Sequence, residues 1–302
     1  MAFPFSSLLA PTVKCMKTQF HRVRTQLVAG LALAGALGLA GCTNIFLQPD
    51  RALHFRPEQV GVKWEEAHFK SRDGVELTGL WFPAVKLPAK GVVVQFHGNG
   101  ENMTSHFLSV YWLALEGYDV LAFDYRGYGA SGGKKSIDGS VADGMAALAC
   151  ARAKAPGLPI VVIGQSLGGA LALASLDRDG GKDVGALVLD STFASFRRVA
   201  RDKLGQLWLT WPLQWPLSFL ISDRIAPERF IARRKNIPLL MLHASDDPVV
   251  PYREGRRLFD LAPGPKEFWD VPGAGHAAAF GPQGAEFRPR LLRFLDGALR
   301  IH

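Results

Sequence analysis

Ser166 lies in the run Gly164-Gln165-Ser166-Leu167-Gly168-Gly169, in a context that would present its hydroxyl as a nucleophile. Ile160 to Ile163 before it is an unbroken β-branched run, the pattern of a strand buried on both faces. Ala170, Leu171, Ala172, Leu173, Ala174 and Leu176 after it are helix formers with no proline among them. The serine therefore falls on the corner between strand and helix. Glycines two before and two after it remove the Cβ atoms that would collide as the elements close. The helix amino terminus behind it offers unpaired N–H groups and a positive dipole end. Such a hydroxyl needs a base. Of eight histidines, His276 is the one on a late glycine-rich loop after a strand run, Pro272-Gly273-Ala274-Gly275-His276, and imidazole titrates near working pH. His97-Gly98-Asn99-Gly100 closes another apolar run, and the N–H groups of Asn99 and Leu167 are the expected oxyanion donors. The chemistry is acyl transfer through a serine, with water as final acceptor.

The motif alone is weak, because Gly129-Ala130-Ser131-Gly132-Gly133 also satisfies G-x-S-x-G. Lys134, Lys135, Ser136 and Asp138 follow that second match, with no apolar strand against it, so it reads as a turn. For Ser166 the competing role is a helix N-cap.

The elements that must carry these residues alternate strand and helix. Trp64 to Trp81 alternates around Asp73-Gly74 and predicts an antiparallel hairpin. Gly91–Phe96, Tyr118–Phe123, Gly185–Asp190, Ile237–His243 and Lys266–Val271 predict further strands. Ser140–Ala153 and residues 286–299 predict helices from their apolar spacing. His97 is expected to hold its loop by a ring hydrogen bond. Residues 191–236 carry Trp208, Trp211, Trp215 and Phe219 broken by Pro212 and Pro216, which excludes one straight helix. Two readings stand for them: a small helical cap that walls the site or touches lipid, and a helix packed on the sheet.

His-Gly-Asn-Gly after one strand, Asp-Tyr-Arg-Gly-Tyr-Gly-Ala-Ser-Gly after the next and Gly-Gln-Ser-Leu-Gly-Gly after a third resemble the α/β-hydrolases. The branch they look most like holds the BEM46-like and depalmitoylase-like serine hydrolases. The likeness spans about residues 60–300 and implies an α/β fold: a mostly parallel sheet with helices on both faces, opened by the hairpin. It places the triad acid at Asp247, in Ala244-Ser245-Asp246-Asp247-Pro248-Val249-Val250-Pro251, where Ala244 stands for the family's usual glycine. Asp246 beside it and Asp190 after the preceding strand are the alternatives. Asp124 and Arg126 are expected to be a buried pair bracing two loops, outside the chemistry. With Ser166, Asp247 and His276 in that order, the expected reaction is hydrolysis of a carboxylic ester or thioester with an apolar acyl group, without metal or organic cofactor. A peptidase or amidase on the same triad is the second reading, and an idle envelope-binding lipoprotein the third.

Residues 1–41 carry Lys14, Lys17, Arg22 and Arg24 and no acid, and Leu27–Ala40 is an apolar run of 14 residues, short of the roughly 20 a spanning helix needs. That is the pattern of a signal peptide, with Met16 an alternative start. Leu39-Ala40-Gly41-Cys42 resembles the lipobox of bacterial lipoproteins, which implies lipidation at Cys42, a cell-envelope location and, from Thr43, a lean to the outer membrane. Residues 42–61 then read as a tether and 62–302 as the hydrolase domain. Without the leader, 31 Lys and Arg face 27 acids, a net +4 that gives no reason to invoke nucleic acid. Cys150 alone remains as a thiol, so no internal disulfide supports the fold. Acyl length, natural substrate and oligomeric state are left open.

Overall fold

The structure, a computed structural model, describes residues 42–206, 208–273 and 275–300. The leader expected over residues 1–41 lies outside the described residues, as does the side chain of Cys42. The hairpin forms as β1 (Glu65–Lys70) and β2 (Glu76–Phe82), with Lys70 opposite Glu76 and Gly74 taking the left-handed φ of 84° that the turn requires. Six parallel strands complete the sheet: β3 (Gly91–Phe96), β4 (Tyr118–Phe123), β5 (Ile160–Gln165), β6 (Val184–Asp190), β7 (Leu239–His243) and β8 (Lys266–Asp270). Their order is β1-β2-β4-β3-β5-β6-β7-β8, with β2 antiparallel to β4. This is the α/β-hydrolase fold, and every residue of β3 and β5 at its centre is buried.

Alternate strand residues face two cores. On one side Val92, Val94, Phe96 and Val162 pack against α1 (Ile137–Lys154) and α2 (Leu167–Asp179) through Val141, Leu148, Leu171 and Leu173. On the other, Val93, Val161 and Ile163 meet Phe107, Val110 and Leu113, and the closing helix's Leu291 and Leu295. The first helix starts earlier than its apolar spacing predicts. Ser136 Oγ caps it by accepting from Gly139 N–H at 3.3 Å, and Asn44 Oδ1 accepts the Ile137 N–H at 2.9 Å. Downstream lie α3 (Phe196–Gly205), α4 (Tyr252–Leu261) and α5 (Arg288–Ala298).

The tether expected over residues 42–61 is corrected: from Thr43 the chain is built into the domain. Leu47 is fully buried in the core beside α1 and α2, and the Phe46 ring meets Phe196 edge-on at 5.1 Å. Burying one leucine contributes about 1.5–3 kcal/mol, more than a loose linker would supply. Lys135 Nζ donates to Leu47 O at 2.9 Å, Gly129 N–H to Asp50 O at 2.8 Å and Asn102 Nδ2 to Ala52 O at 2.7 Å. Beyond a short 3-10 turn at Cys42–Phe46, the backbone here is satisfied by distant loops, so it leaves little periodic pattern.

Residues 191–236 divide into a buried and an exposed part. Phe193, Phe196 and Val199 are buried against the sheet's core, whereas Trp208, Trp211 and Trp215, on turns and a short helix at Gln214–Ser218, face outward.

Candidate active site

Ser166 occupies the corner with φ 52° and ψ −118°, a left-handed conformation that a non-glycine residue holds only when its surroundings over-determine it. Its N–H donates to Asp190 O at 2.8 Å, extending the β5–β6 pairing, while the next residue already begins α2. A Cβ on Gly164 would sit 2.6 Å from Gly169 Cα, and one on Gly168 would run into the Phe96 carbonyl. The glycines thus let helix, strand and β3 cross in contact. At the floor of a cavity of about 520 Å³, Ser166 Oγ lies 2.9 Å from His276 Nε2, and His276 Nδ1 lies 2.8 Å from Asp247 Oδ2. With the Nδ1 proton donated to Asp247, Nε2 is left to accept from the serine.

The three carboxylates weighed for the acid separate cleanly. Asp247 has a buried side chain and also accepts the N–H groups of Val249 and Val250 at 2.7 and 2.9 Å. Burial works to raise its carboxyl, but the hydrogen bond and charge of His276, with those two N–H groups, hold it below the usual carboxylate value. Asp246 instead accepts Gly273 N–H at 3.1 Å and so holds the histidine's loop. Asp190 takes a hydrogen bond from Ser191 Oγ at 3.2 Å, and burial pushes its carboxyl up to about 7.

Asn99 and Leu167 both line the cavity, with Gly98 and Gly100. Their loop is fixed from several sides. His97 Nδ1 lies 2.8 Å from Gly98 O, the ring hydrogen bond the sequence led us to expect. His106 Nε2 lies 2.9 Å from Gly100 O; burial pushes this imidazole down to about 4, so at neutral pH it is uncharged. The Gln48 N–H is shared between Asn99 Oδ1 at 2.8 Å and Tyr128 Oη at 3.1 Å, and that hydroxyl donates to Asn99 O at 3.0 Å.

Sequence reasoning missed part of this site. Phe46, Phe193, Val199, Val249 and Val250 supply apolar wall, and Lys203 stands among them. Gln165 Nε2 donates to Ala277 O at 3.1 Å, and Ala277 N–H donates to Ser191 Oγ at 3.0 Å, so the residue after His276 is gripped from β5 and β6. Gln165, inside the serine motif, is the one of these that carried a positional signal. Asp124 and Arg126 do brace loops, though not as each other's partner: Asp124 accepts the Met103 N–H at 2.7 Å, and Arg126 is held by Asp143 and Asp73. Ser131 is fully buried in its turn, donating to Asp124 O at 2.8 Å and accepting from Thr78 N–H at 3.0 Å. Among the described residues no cluster of His, Cys, Asp or Glu is arranged to hold a metal ion.

The family described as serine aminopeptidase, S33, matches residues 88–228. The uncharacterized protein YfhR of Escherichia coli K12 is 32% identical over 263 residues, covering 85% of this chain and 88% of the relative. The lysophosphatidylserine lipase ABHD12 of Mus musculus is 28% identical over 286 residues, covering 89% and 69%. Among solved structures, the Pyrococcus furiosus esterase Pf2001 superposes with a TM-score of 0.68 at 25% identity, over 83% of this chain and 97% of that one. From the match to YfhR across most of both chains, and from the fold, the chain belongs to the α/β-hydrolase superfamily, in the family that includes YfhR.

Proposed function

We propose that this hydrolase is a serine esterase acting on carboxylic esters or thioesters with an apolar acyl group, with Ser166 as nucleophile, His276 as general base and Asp247 as its orienting acid. The observation that carries the reading is the unbroken relay from Ser166 Oγ through His276 to Asp247 beneath a largely apolar wall. His276 Nε2 takes the Ser166 proton as Oγ attacks the carbonyl carbon. The N–H groups of Asn99 and Leu167 hold the resulting oxyanion, the latter at the positive end of α2. The imidazolium then returns its proton to the departing alcohol or thiol, leaving the acyl group on Ser166. A water activated by the same imidazole releases the acid.

The serine aminopeptidase description favours a second reading, cleavage of a peptide at its amino end. Such a substrate brings an ammonium group that needs a carboxylate in the pocket. Among the described residues lining the cavity the one acid is Glu101, exposed at the rim, which favours the ester reading. Initial rates on p-nitrophenyl esters of increasing acyl length, set against aminoacyl anilides, separate the two. Faster turnover of the anilides would remove the esterase assignment. In the same assay Ser166→Ala abolishes hydrolysis and fluorophosphonate labelling, whereas Ser131→Ala keeps both and lowers the melting temperature, because it strips a buried hydrogen-bonded hydroxyl from its turn. We also propose that Cys42 is lipidated and anchors the protein in a bacterial envelope; metabolic labelling with an alkyne fatty acid, lost in Cys42→Ser, tests that separately.

A further inference from the structure

We propose that the aromatic run Trp208–Ile221 is a membrane-contact surface, by which the domain rests on an anionic lipid bilayer beside its active-site mouth. The run carries no charged residue, and Trp208, Trp211 and Trp215 are 86%, 60% and 56% exposed, together with Leu209, Leu213 and Phe219. A cluster of this size left in water marks a contact with something apolar. Three features of the molecule identify that partner as lipid.

First, the composition is that of an interface. Indole rings settle at the boundary between acyl chains and headgroups, where one end is apolar and the other wet. Second, the cations sit where headgroups would be. The guanidinium of Arg201 lies 4.1 Å over the Trp215 ring and that of Arg197 lies 5.2 Å over the Phe219 ring, both on α3 behind the run. Rings immersed in acyl chains would leave those guanidinium groups level with anionic phosphates. Third, the chain enters this body at the edge of the same patch. Thr43 Oγ1 lies 3.4 Å from Ser222 O and 3.3 Å from Ser222 N, directly after the run ends at Ile221. Under the proposed lipidation, the anchored residue Cys42 is the one covalently before Thr43. Helix α3 joins the surface to the site, because its Val199 and Lys203 also line the cavity. The proposal stands whether or not the esterase reading does, since it concerns the surface and not the chemistry.

The test uses the full chain with vesicles of phosphatidylcholine and phosphatidylglycerol, unlabelled or brominated on the acyl chains. Residues 1–41 contain no tryptophan, so the leader is silent even if it binds. Trp81, Trp112 and Trp269 are buried and Trp64 is half-buried, out of reach of the bromines. Brominated lipid should quench wild-type emission, and the triple variant Trp208→Phe, Trp211→Phe, Trp215→Phe should lose that quenching while hydrolysing a short soluble ester at the wild-type rate. Wild-type emission that brominated lipid leaves unchanged, whether the protein floats with the vesicles or stays free, overturns the proposal. Equal quenching of the triple variant overturns it too. Self-association through these rings in place of vesicle binding would reassign the patch to a second copy of the chain.

Discussion

Two aspartates at the ends of neighbouring strands, Asp190 closing β6 and Asp247 after β7, stand in the same buried region and are driven in opposite directions. Desolvation pushes both toward the neutral acid. Asp247 overcomes it with the hydrogen bond and charge of His276 and two backbone N–H groups; Asp190, with the charge of His276, the Ser191 hydroxyl and the Ala279 N–H set against burial and the charge of Asp247, is pushed up to about 7. Burial does not decide what a carboxylate does here. The number and charge of the donors around it does, which supports the proposed orienting role for Asp247 over Asp190.

The comparison breaks first on turnover. Asp247→Asn should lower kcat by about 10⁴-fold, since an amide no longer enforces the histidine tautomer, while Asp190→Asn should stay within a few-fold of wild type. A reversed pair of rates on any accepted ester would move the acid to β6. Stability sharpens it next. A carboxyl whose folded pKa lies above its unfolded value near 4 contributes stability that is full below that value and lost as the pH rises through the folded one. The advantage of wild type over Asp190→Asn, read from urea midpoints, should therefore shrink between about pH 4 and pH 7. For the depressed Asp247 the sign is opposite: the advantage over Asp247→Asn should hold at neutral pH and fade as the pH drops below about 4. Parallel trends in the two variants would mean that the two environments are not the opposites described. The smallest effect belongs to Asp246→Ala, which removes the acceptor of Gly273 N–H and should cost about fivefold in kcat, the scale of one loop-anchoring hydrogen bond. A loss as large as that of Asp247→Asn would mean that the two adjacent aspartates have been assigned in the wrong order.

The elbow and its histidine were legible because their chemistry travels with local pattern: a β-branched run, glycines around a serine, a helix with no proline. The strands followed for the same reason, since residues buried on both faces leave unbroken apolar runs. Helix α1 was read short because its first turn, with Gly139 and Asp138, looks like loop until Ser136 is seen capping it. Residues 42–61 read as a tether because what holds their first half is far away in the chain. Gln48 finds Asn99 and Tyr128, and Asn44 finds Ile137, pairings no window of sequence contains. The run Trp208–Ile221 shows the converse: its composition suits a buried element, and only the three-dimensional arrangement reveals that its rings face outward.

The built-in amino-terminal segment also sets an order of events during biosynthesis. Residues 44–48 leave the ribosome before the groups that receive them: Asn99, Tyr128, Lys135 and Ile137 follow their partners by 51 to 93 residues, and Phe196, which meets the Phe46 ring, comes later still. Until α3 has been made, Phe46 has no ring to meet, so the growing polypeptide carries an unhoused aromatic, a natural handle for a holdase. Once α1 exists Leu47 can join the core, and once α3 exists Phe46 can close the pocket wall. Closure of the cavity is thereby coupled to synthesis of α3, after β6, and a chain released too early exposes a stretch that proteases can recognise.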